Sequence, residues 1–507
     1  MGALLFLISR LWFLNWDEVF FDSGEYISRW ANPNYFSAII SGHPPLHLGY
    51  ILYNWPVFRL FERQGLNPLP AILLVQVTLA LLCVFFFGKV VSRLVEDKTA
   101  NRAMILVSLL PIFWIVNVTV MMETGYLFFF FGSLFFLSKY TSGDEKYRYL
   151  ILSTVFWMMA FLTHTVVLIW IPFWLYLAWM WSKKRFIKIL IAGILSLLVA
   201  SAINASFLAN SLKTTLDQGF YWLYAAKFGE HAWFSFDVET IGRYLRNWWI
   251  PLVYNNTSPI VIIGLLSFSS MWKTNKKLFW LGVFWIAPSL IANQWWDSLL
   301  YGRHALIAGF GLAFYVSVLL KGISYRIISL IVLVISLPTL SLLSHPIPYN
   351  LMSDKISQLP GGGLLIDSHF ARPYTDGNYF GKTIYVDEPG WNTAEAARIL
   401  EEYIDNRRDV YVTGHALSEP YGLFSGPYLH PLSLSYKNPY ILQQITDKWG
   451  FAEFEEVNRG LNLMVYKVIP QSGKYATIKR LDENSRRIDY YDPLRLFMSA
   501  IKGGLNL

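Results

Sequence analysis

From Val19 to Tyr50 the chain reads VFFDSGEYISRWANPNYFSAIISGHPPLHLGY. This stretch follows the first apolar run, where the chain first leaves hydrocarbon. Asp17, Glu18 and Asp22 crowd its start, Glu25 follows, and His43-Pro44-Pro45 closes it. The 507 residues around it are 54% hydrophobic, 17% aromatic and only 15% charged, with mean hydropathy +0.38. Soluble domains rarely exceed half apolar, so most of this chain is solvated by lipid. The acids therefore gather at a membrane exit in a chain that elsewhere carries few charges.

The formal net charge is +8, but the Lys and Arg residues stand in short clusters between apolar runs. That is the positive-inside pattern of a membrane protein and does not call for nucleic acid. The single cysteine, Cys83, lies inside an apolar run, which excludes an intrachain disulfide and a cysteine metal site. The first run, ALLFLIS, begins almost at once without a charged leader and reads as a retained first helix.

About 20 apolar residues cross the hydrocarbon core. Runs of that kind fall near 2–16, 68–92, 102–120, 124–139, 148–163, 165–181, 186–209, 258–272, 278–293, 303–320 and 326–343. A further stretch, 46–61, is short, aromatic and interrupted by Pro56. Leaving it out puts the basic clusters at 89–102, 139–148, 183–188, 273–277 and 321–326 on one side, the cytoplasmic one. The expectation is an all-α polytopic domain of about eleven spans over 1–343, with 46–61 interfacial or re-entrant. The outer loops 17–67 and 210–257 and the tail 344–507 then lie outside the cytoplasm. The membrane is the plasma membrane, or the endoplasmic reticulum in a eukaryote.

The tail changes character. GGGLLIDSHF, RDVYVTGHAL and LNLMVYKVIP are β-rich runs, and TAEAARILEEYIDNR between them has helical apolar spacing. They predict a small α/β domain of about 150 residues.

Of the exit acids, Asp22 and Glu25 have the spacing of a helix N-cap and its partner three residues on, which is the bland reading of DSGE. Their company argues for more. Arg10 lies inside the first span, where a charge is costly and marks function by default, and a rigid His-Pro-Pro closes the loop.

These residues resemble a family. Arg10-Leu11-Trp12, Val19–Asp22 and His43–Leu46 are similar to the opening of the GT-C glycosyltransferases, above all the protein O-mannosyltransferases with their VVFDE…HPPLGK pattern. A second branch of that superfamily carries D-S-G-E followed by H-P-P-G. The likeness puts the family's catalytic aspartate on Asp22, with Ser23 where a Glu usually follows and Glu25 as its substitute. After Leu46 the usual Gly-Lys is replaced by His47-Leu48. More loosely, Glu123 resembles the outer-face acid opening the fourth span, His164 the basic residue of a tight outer turn, and Arg303-His304 a late basic segment.

What the resemblance implies is sugar transfer from a polyprenyl-phosphate donor to an acceptor protein, lipid or glycan at the outer face of the membrane. Such a transfer needs a base for the acceptor hydroxyl, the role of Asp22 with Glu25 helping to bind the acceptor. It also needs donors or cations for the leaving phosphate, a set drawn from Arg10, His43, Glu123, His164, Arg303 and His304. Asp22, Glu25 and Glu123 together could hold a divalent cation, since hard cations favour oxygen. No other cofactor is implied.

Rival readings stay open at this stage. A polytopic lipid or glycan transporter would spread polar residues at mid-membrane depth, whereas here the acids gather at the surface. A non-catalytic scaffold with the same spans would tolerate loss of Asp22. Trp248, Trp249, Trp295 and Trp296 read as interfacial belt. Arg303 could snorkel to the interface, and His164 could simply be an interfacial polar residue. Sequons stand at Asn255 and Asn256.

Overall fold

Nearly every apolar run becomes a helix. The computed structural model describes residues 2–14, 21–40, 47–142, 146–208, 248, 252, 256–292, 303, 306–341, 353–368, 372–386, 393–413, 416, 449–458 and 463–470. The chain divides into two compact units, one of 1–16 and 22–340, the other of 17–21 and 341–507.

The first unit is helical. Its described helices are α1 (Gly2–Leu11), α2 (Phe21–Ala31), α3 (Tyr35–Ile40), α4 (Leu48–Glu62), α5 (Leu69–Val91), α6 (Asp97–Leu109), α7 (Pro111–Val118) and α8 (Glu123–Thr141). They continue with α9 (Tyr147–Thr163), a 3-10 segment (Thr165–Trp170), α10 (Ile171–Trp181), α11 (Phe186–Leu208), α12 (Ser258–Thr274), α13 (Lys276–Ile286), α14 (Pro288–Ala292), α15 (Leu306–Leu319) and α16 (Gly322–Ser341).

By length and composition, Leu69–Val91 and Lys183–Asn204 are able to cross a membrane, and a third span exists if α6 and α7 are taken together. Shorter apolar helices include Tyr147–Thr163, Thr165–Trp181, Leu306–Leu319 and Gly322–Leu337. The chain is thus an integral membrane protein by composition, while the count of about eleven spans is not confirmed. Exposed Ile187, Ile191, Leu198, Ile323 and Leu330 give α11 and α16 apolar outer faces suited to lipid.

One expectation needs correction. The run 102–120 is not one helix: α6 and α7 meet at a 65° bend. Pro111 supplies the reason, because it has no N–H for the helical ladder and sits in the first turn of α7. Between the first span and α5, the stretch 17–67 carries α2, α3 and α4. Within it α4 runs through Pro56 and buries Leu48, Tyr50, Ile51, Asn54 and Phe58, packed against α5 and α9.

Between helices already solvated by lipid, association rests on close packing more than on water exclusion. Here the filling is aromatic. The rings of Phe131 and Phe310 stack at 4.8 Å, Phe87 meets Phe310 edge-on at 5.1 Å, and Phe173 stacks on Trp285 at 4.5 Å. With Phe87 also edge-on to Trp285 at 6.2 Å, these contacts tie α5, α8, α10, α13 and α15 together.

The second unit holds a five-stranded sheet: β1 (Leu364–Ser368), β2 (Lys382–Val386), β3 (Val410–Thr413), β4 (Trp449–Asn458) and β5 (Leu463–Pro470), in the order β2-β1-β3-β5-β4. β1 pairs parallel with β2 and β3, and β5 pairs antiparallel with β3 and β4. α17 (Thr393–Asp405) covers one face, burying Ala396, Ile399 and Leu400 against Leu364, Ile366, Val410 and Val412. Alternate residues of a strand share a face, so Leu364 and Ile366 reach the helix together. The three β-rich runs and the helix read from the sequence are all present.

Candidate functional site

Helix α2 carries the DSGE motif. It begins at Phe21, so Asp22 sits in its first turn, not before it, and Glu25 follows one turn on. A carboxylate in the first turn is favoured by the helix dipole. The structure describes Asp22 and Glu25 as backbone positions of this helix.

What fixes α2 is its neighbouring face. The buried Ser23 hydroxyl donates to the Val120 carbonyl at 2.8 Å, and the Tyr26 hydroxyl donates to Met122 Sδ at 3.2 Å. Farther along, Arg29, itself buried, donates through Nε to Ala38 O and through Nη2 to Ile39 O, both at 2.9 Å. Those carbonyls belong to the last turn of α3, so Arg29 fixes where that helix stops.

Val120–Met122 lead directly into α8, whose first residue is Glu123. The irregular backbone before it is kept in place by side chains. Gln76 Nε2 donates to Val116 O and Thr119 O, and Thr124 Oγ1 donates to Val116 O at 2.9 Å. Non-helical backbone at membrane depth persists only with partners of this kind.

Glu123 is completely buried, and its Oε1 lies 2.7 Å from Arg303 Nε, with Arg303 only 5% exposed. A desolvated pair of this sort is held together by mutual compensation, because neither charge is tolerable alone. Among the described residues no group of three His, Cys, Asp or Glu is placed to hold an ion, and the side chains of Asp22 and Glu25 lie outside those described.

Beside the pair stand two buried imidazoles. His47, at φ 47°, opens α4 from a left-handed conformation, and its ring lies 5.3 Å from that of His164. His47 Nδ1 is 3.1 Å from Thr163 O. A carbonyl only accepts, so that nitrogen carries the proton. His164 ends α9, and its Nδ1 accepts from Val166 N–H at 3.1 Å, which places its proton on Nε2. The backbone thus sets opposite tautomers in the two rings. Tyr26 packs edge-on to His47 at 5.9 Å, and Tyr126 edge-on to His164 at 5.4 Å.

No protein-family model matches the sequence, and no curated protein matches it. Solved structures do. The apo crystal structure of ArnT from Cupriavidus metallidurans has a TM-score of 0.50 at 11% identity, covering 92% of this chain and 97% of that one. The chain shares the fold of that protein. ArnT bound to undecaprenyl phosphate gives a TM-score of 0.48 at 12% identity, covering 92% and 96%. The archaeal oligosaccharyltransferase AglB from Archaeoglobus fulgidus, in complex with an inhibitory peptide and a dolichol-phosphate, gives 0.46 at 9%, covering 95% and 77%.

Within this fold the residues singled out from the sequence separate. Glu123 and Arg303 form an ion pair, His164 meets His47, and α2 is docked on the segment that leads to Glu123. Arg10 is engaged differently. Its guanidinium lies between the rings of Phe6 and Trp114, 4.1 and 4.0 Å from their centroids, and Nη2 donates to Ser108 O. Ser108 is in the last turn of α6, where the bend leaves carbonyls without helical partners, so Arg10 caps a broken helix. His43 and His304 lie outside the described residues, as do Asp17 and Glu18. Asn256 is fully buried with Nδ2 donating to Leu252 O at 3.0 Å, which rules it out as a glycan acceptor in the folded chain.

Sequence reasoning passed over Arg29, Tyr26 and Tyr126, which look like ordinary interfacial residues in one dimension. His47 left a signal, since it stands where the resembling family has Gly-Lys.

Proposed function

We propose that this chain is an inverting membrane glycosyltransferase that takes a sugar from a polyprenyl-phosphate donor. The acceptor oxygen attacks the anomeric carbon while the bond from that carbon to the phosphate oxygen breaks. The electron pair leaves with the polyprenyl phosphate, and the acceptor proton passes to Asp22, the base. Glu25 orients the acceptor. Arg303, held by Glu123, faces the developing charge on the phosphate, with His164, His43 and His304 as further donors. Arg10 serves this site indirectly, by stabilising the bend beneath it. In this reading the 344–507 domain lies on the outer face of the membrane.

The observation that carries the reading is the docking of the DSGE helix, through Ser23 and Tyr26, onto the backbone that presents the buried Glu123–Arg303 pair. It supports the reading because a phosphate-linked transfer requires acids and a cation drawn from distant parts of the chain. The fold shared with ArnT, a protein also crystallised with undecaprenyl phosphate, supports the same donor class. The test is transfer from a panel of radiolabelled polyprenyl-phosphate sugars to native membrane extract, with and without chelator. Failure of every donor to label any acceptor would reject the proposal. A chelator-sensitive signal would return a metal to the site.

A further inference from the structure

Tyr126 is one turn beyond Glu123 in α8 and is completely buried. Its ring has ordinary neighbours, with His164 edge-on at 5.4 Å. Its hydroxyl does not. Among the described residues it is a buried donor without a hydrogen-bond partner. Other tyrosines buried as deeply in the same unit have found acceptors: Tyr26 on Met122 Sδ, Tyr50 on Gln76 Oε1 and Tyr315 on Leu278 O.

An unmatched buried hydroxyl is costly, because its bonds to water are lost and nothing replaces them. The cost is also easily avoided here. The residues after Tyr126 include Phe128, Phe129, Phe130 and Phe131, and a phenylalanine at 126 would keep every ring contact. The obvious local acceptor, the Glu123 carboxylate, is engaged by Arg303 at 2.7 Å. Tyr126 nevertheless lies within electrostatic reach of both members of that pair.

We infer that the Tyr126 hydroxyl is a positioning donor for a phosphate oxygen of the lipid-linked substrate. The inference rests on the proposed lipid-phosphate donor and adds a residue that neither motif nor resemblance marks. An O–H that donates to an anionic oxygen is a strong bond in a dry site. Next to it Arg303 supplies the charge, and His164, its proton set on Nε2 by the Val166 N–H, supplies a second neutral donor.

The test uses full-length protein in lipid nanodiscs, with thermal unfolding followed against undecaprenyl phosphate and, as a hydrocarbon control, undecaprenol. Wild type is expected to be stabilised by the phosphate alone, because a ligand that binds only the folded state raises its stability by mass action. Tyr126→Phe is expected to unfold at the same or a higher temperature without lipid, yet to need about tenfold more undecaprenyl phosphate for the half-maximal shift. Tyr50→Phe should show the reverse pattern, lower intrinsic stability and an unchanged lipid response, since it loses a bond to Gln76. A Tyr126→Phe protein with the wild-type lipid response overturns the inference, and so does one destabilised without lipid whose response is unaltered. Wild type that ignores undecaprenyl phosphate, or answers undecaprenol equally, rejects the lipid-phosphate reading and this inference with it.

Discussion

Arg303 Nε meets Glu123 Oε1 at 2.7 Å with both side chains withdrawn from solvent, joining the first turn of α8 to the segment just before α15. The pair is at once a structural clamp and the proposed phosphate anchor, and the two roles separate on substitution. Arg303→Ala leaves an uncompensated buried carboxylate and is expected to cost about 3–5 kcal/mol. Pairing it with Glu123→Gln should restore much of that stability but not sugar transfer. Thermal unfolding beside a transfer assay checks both halves, and recovery of activity in the double variant would reduce the pair to scaffolding.

Asp22→Asn preserves size and removes the base. Transfer should fall by about 100-fold or more at matched membrane levels, with expression retained. Asp17→Asn is expected to lose far less. The opposite ranking would show that the acid was placed in the wrong register.

Gly49 opens α4 against the end of α9. A methyl group there would collide with Thr163 Oγ1 and approach the Thr163 backbone N to 2.9 Å. Backbone cannot step aside, so Gly49→Ala is expected to destabilise by about 1–3 kcal/mol and to disturb the neighbouring His47–Thr163 hydrogen bond. At Gly125 the same change meets the far end of Tyr53, which can shift, and the loss of stability should be smaller. Melting temperatures of the two variants decide it.

In the second unit, the hydrogen bond from Lys467 Nζ at 2.7 Å, helped by Tyr411, holds the Asp409 carboxyl below its ordinary value against the opposing effect of burial. A depressed carboxylate contributes stability that is present above its unfolded value, near pH 4, and is lost as pH falls through the folded one. Because the pair is well exposed, the effect is expected to be about 0.5 kcal/mol. Hydrogen exchange of β3 and β5 in the full chain should quicken below about pH 4 in wild type, and Asp409→Asn should remove most of that acid response.

Topology is open to direct labelling, since the native Cys83 is buried. A cysteine at Lys474, outside the described residues, is expected to react with an impermeant thiol reagent from outside, and one at Lys184 to be protected. Protection at Lys474 together with labelling at Lys184 would place the tail in the cytoplasm and make 46–61 a crossing segment.

Much of the architecture was legible in one dimension. Apolar runs long enough for lipid located α5, α8, α9, α11, α12, α15 and α16 to within a few residues, because a backbone in hydrocarbon must bond to itself and a helix does so locally. Alternation and composition likewise exposed β1, β3, β5 and α17 in the tail. The bend at Pro111 was legible in principle, for proline forbids the ladder wherever it stands, but the continuous apolarity of 102–120 masked it.

The site was legible only as a set of residue types. Asp22, Glu123, His164 and Arg303 stood out because they fall where the resembling family places its acids and bases, but their partners did not. Arg10 and Arg303 look alike in sequence. One caps the carbonyls of a broken helix and the other neutralises a buried carboxylate, a difference set by which distant backbone arrives beside each. The same holds for the strand order β2-β1-β3-β5-β4 and for the opposite tautomers of His47 and His164. Helix formation and membrane partition are local free energies, summed along a segment, and so can be read from it. Ion pairing, capping of stray carbonyls and proton placement depend on contacts between segments far apart in the chain, and those exist only once the helices have packed.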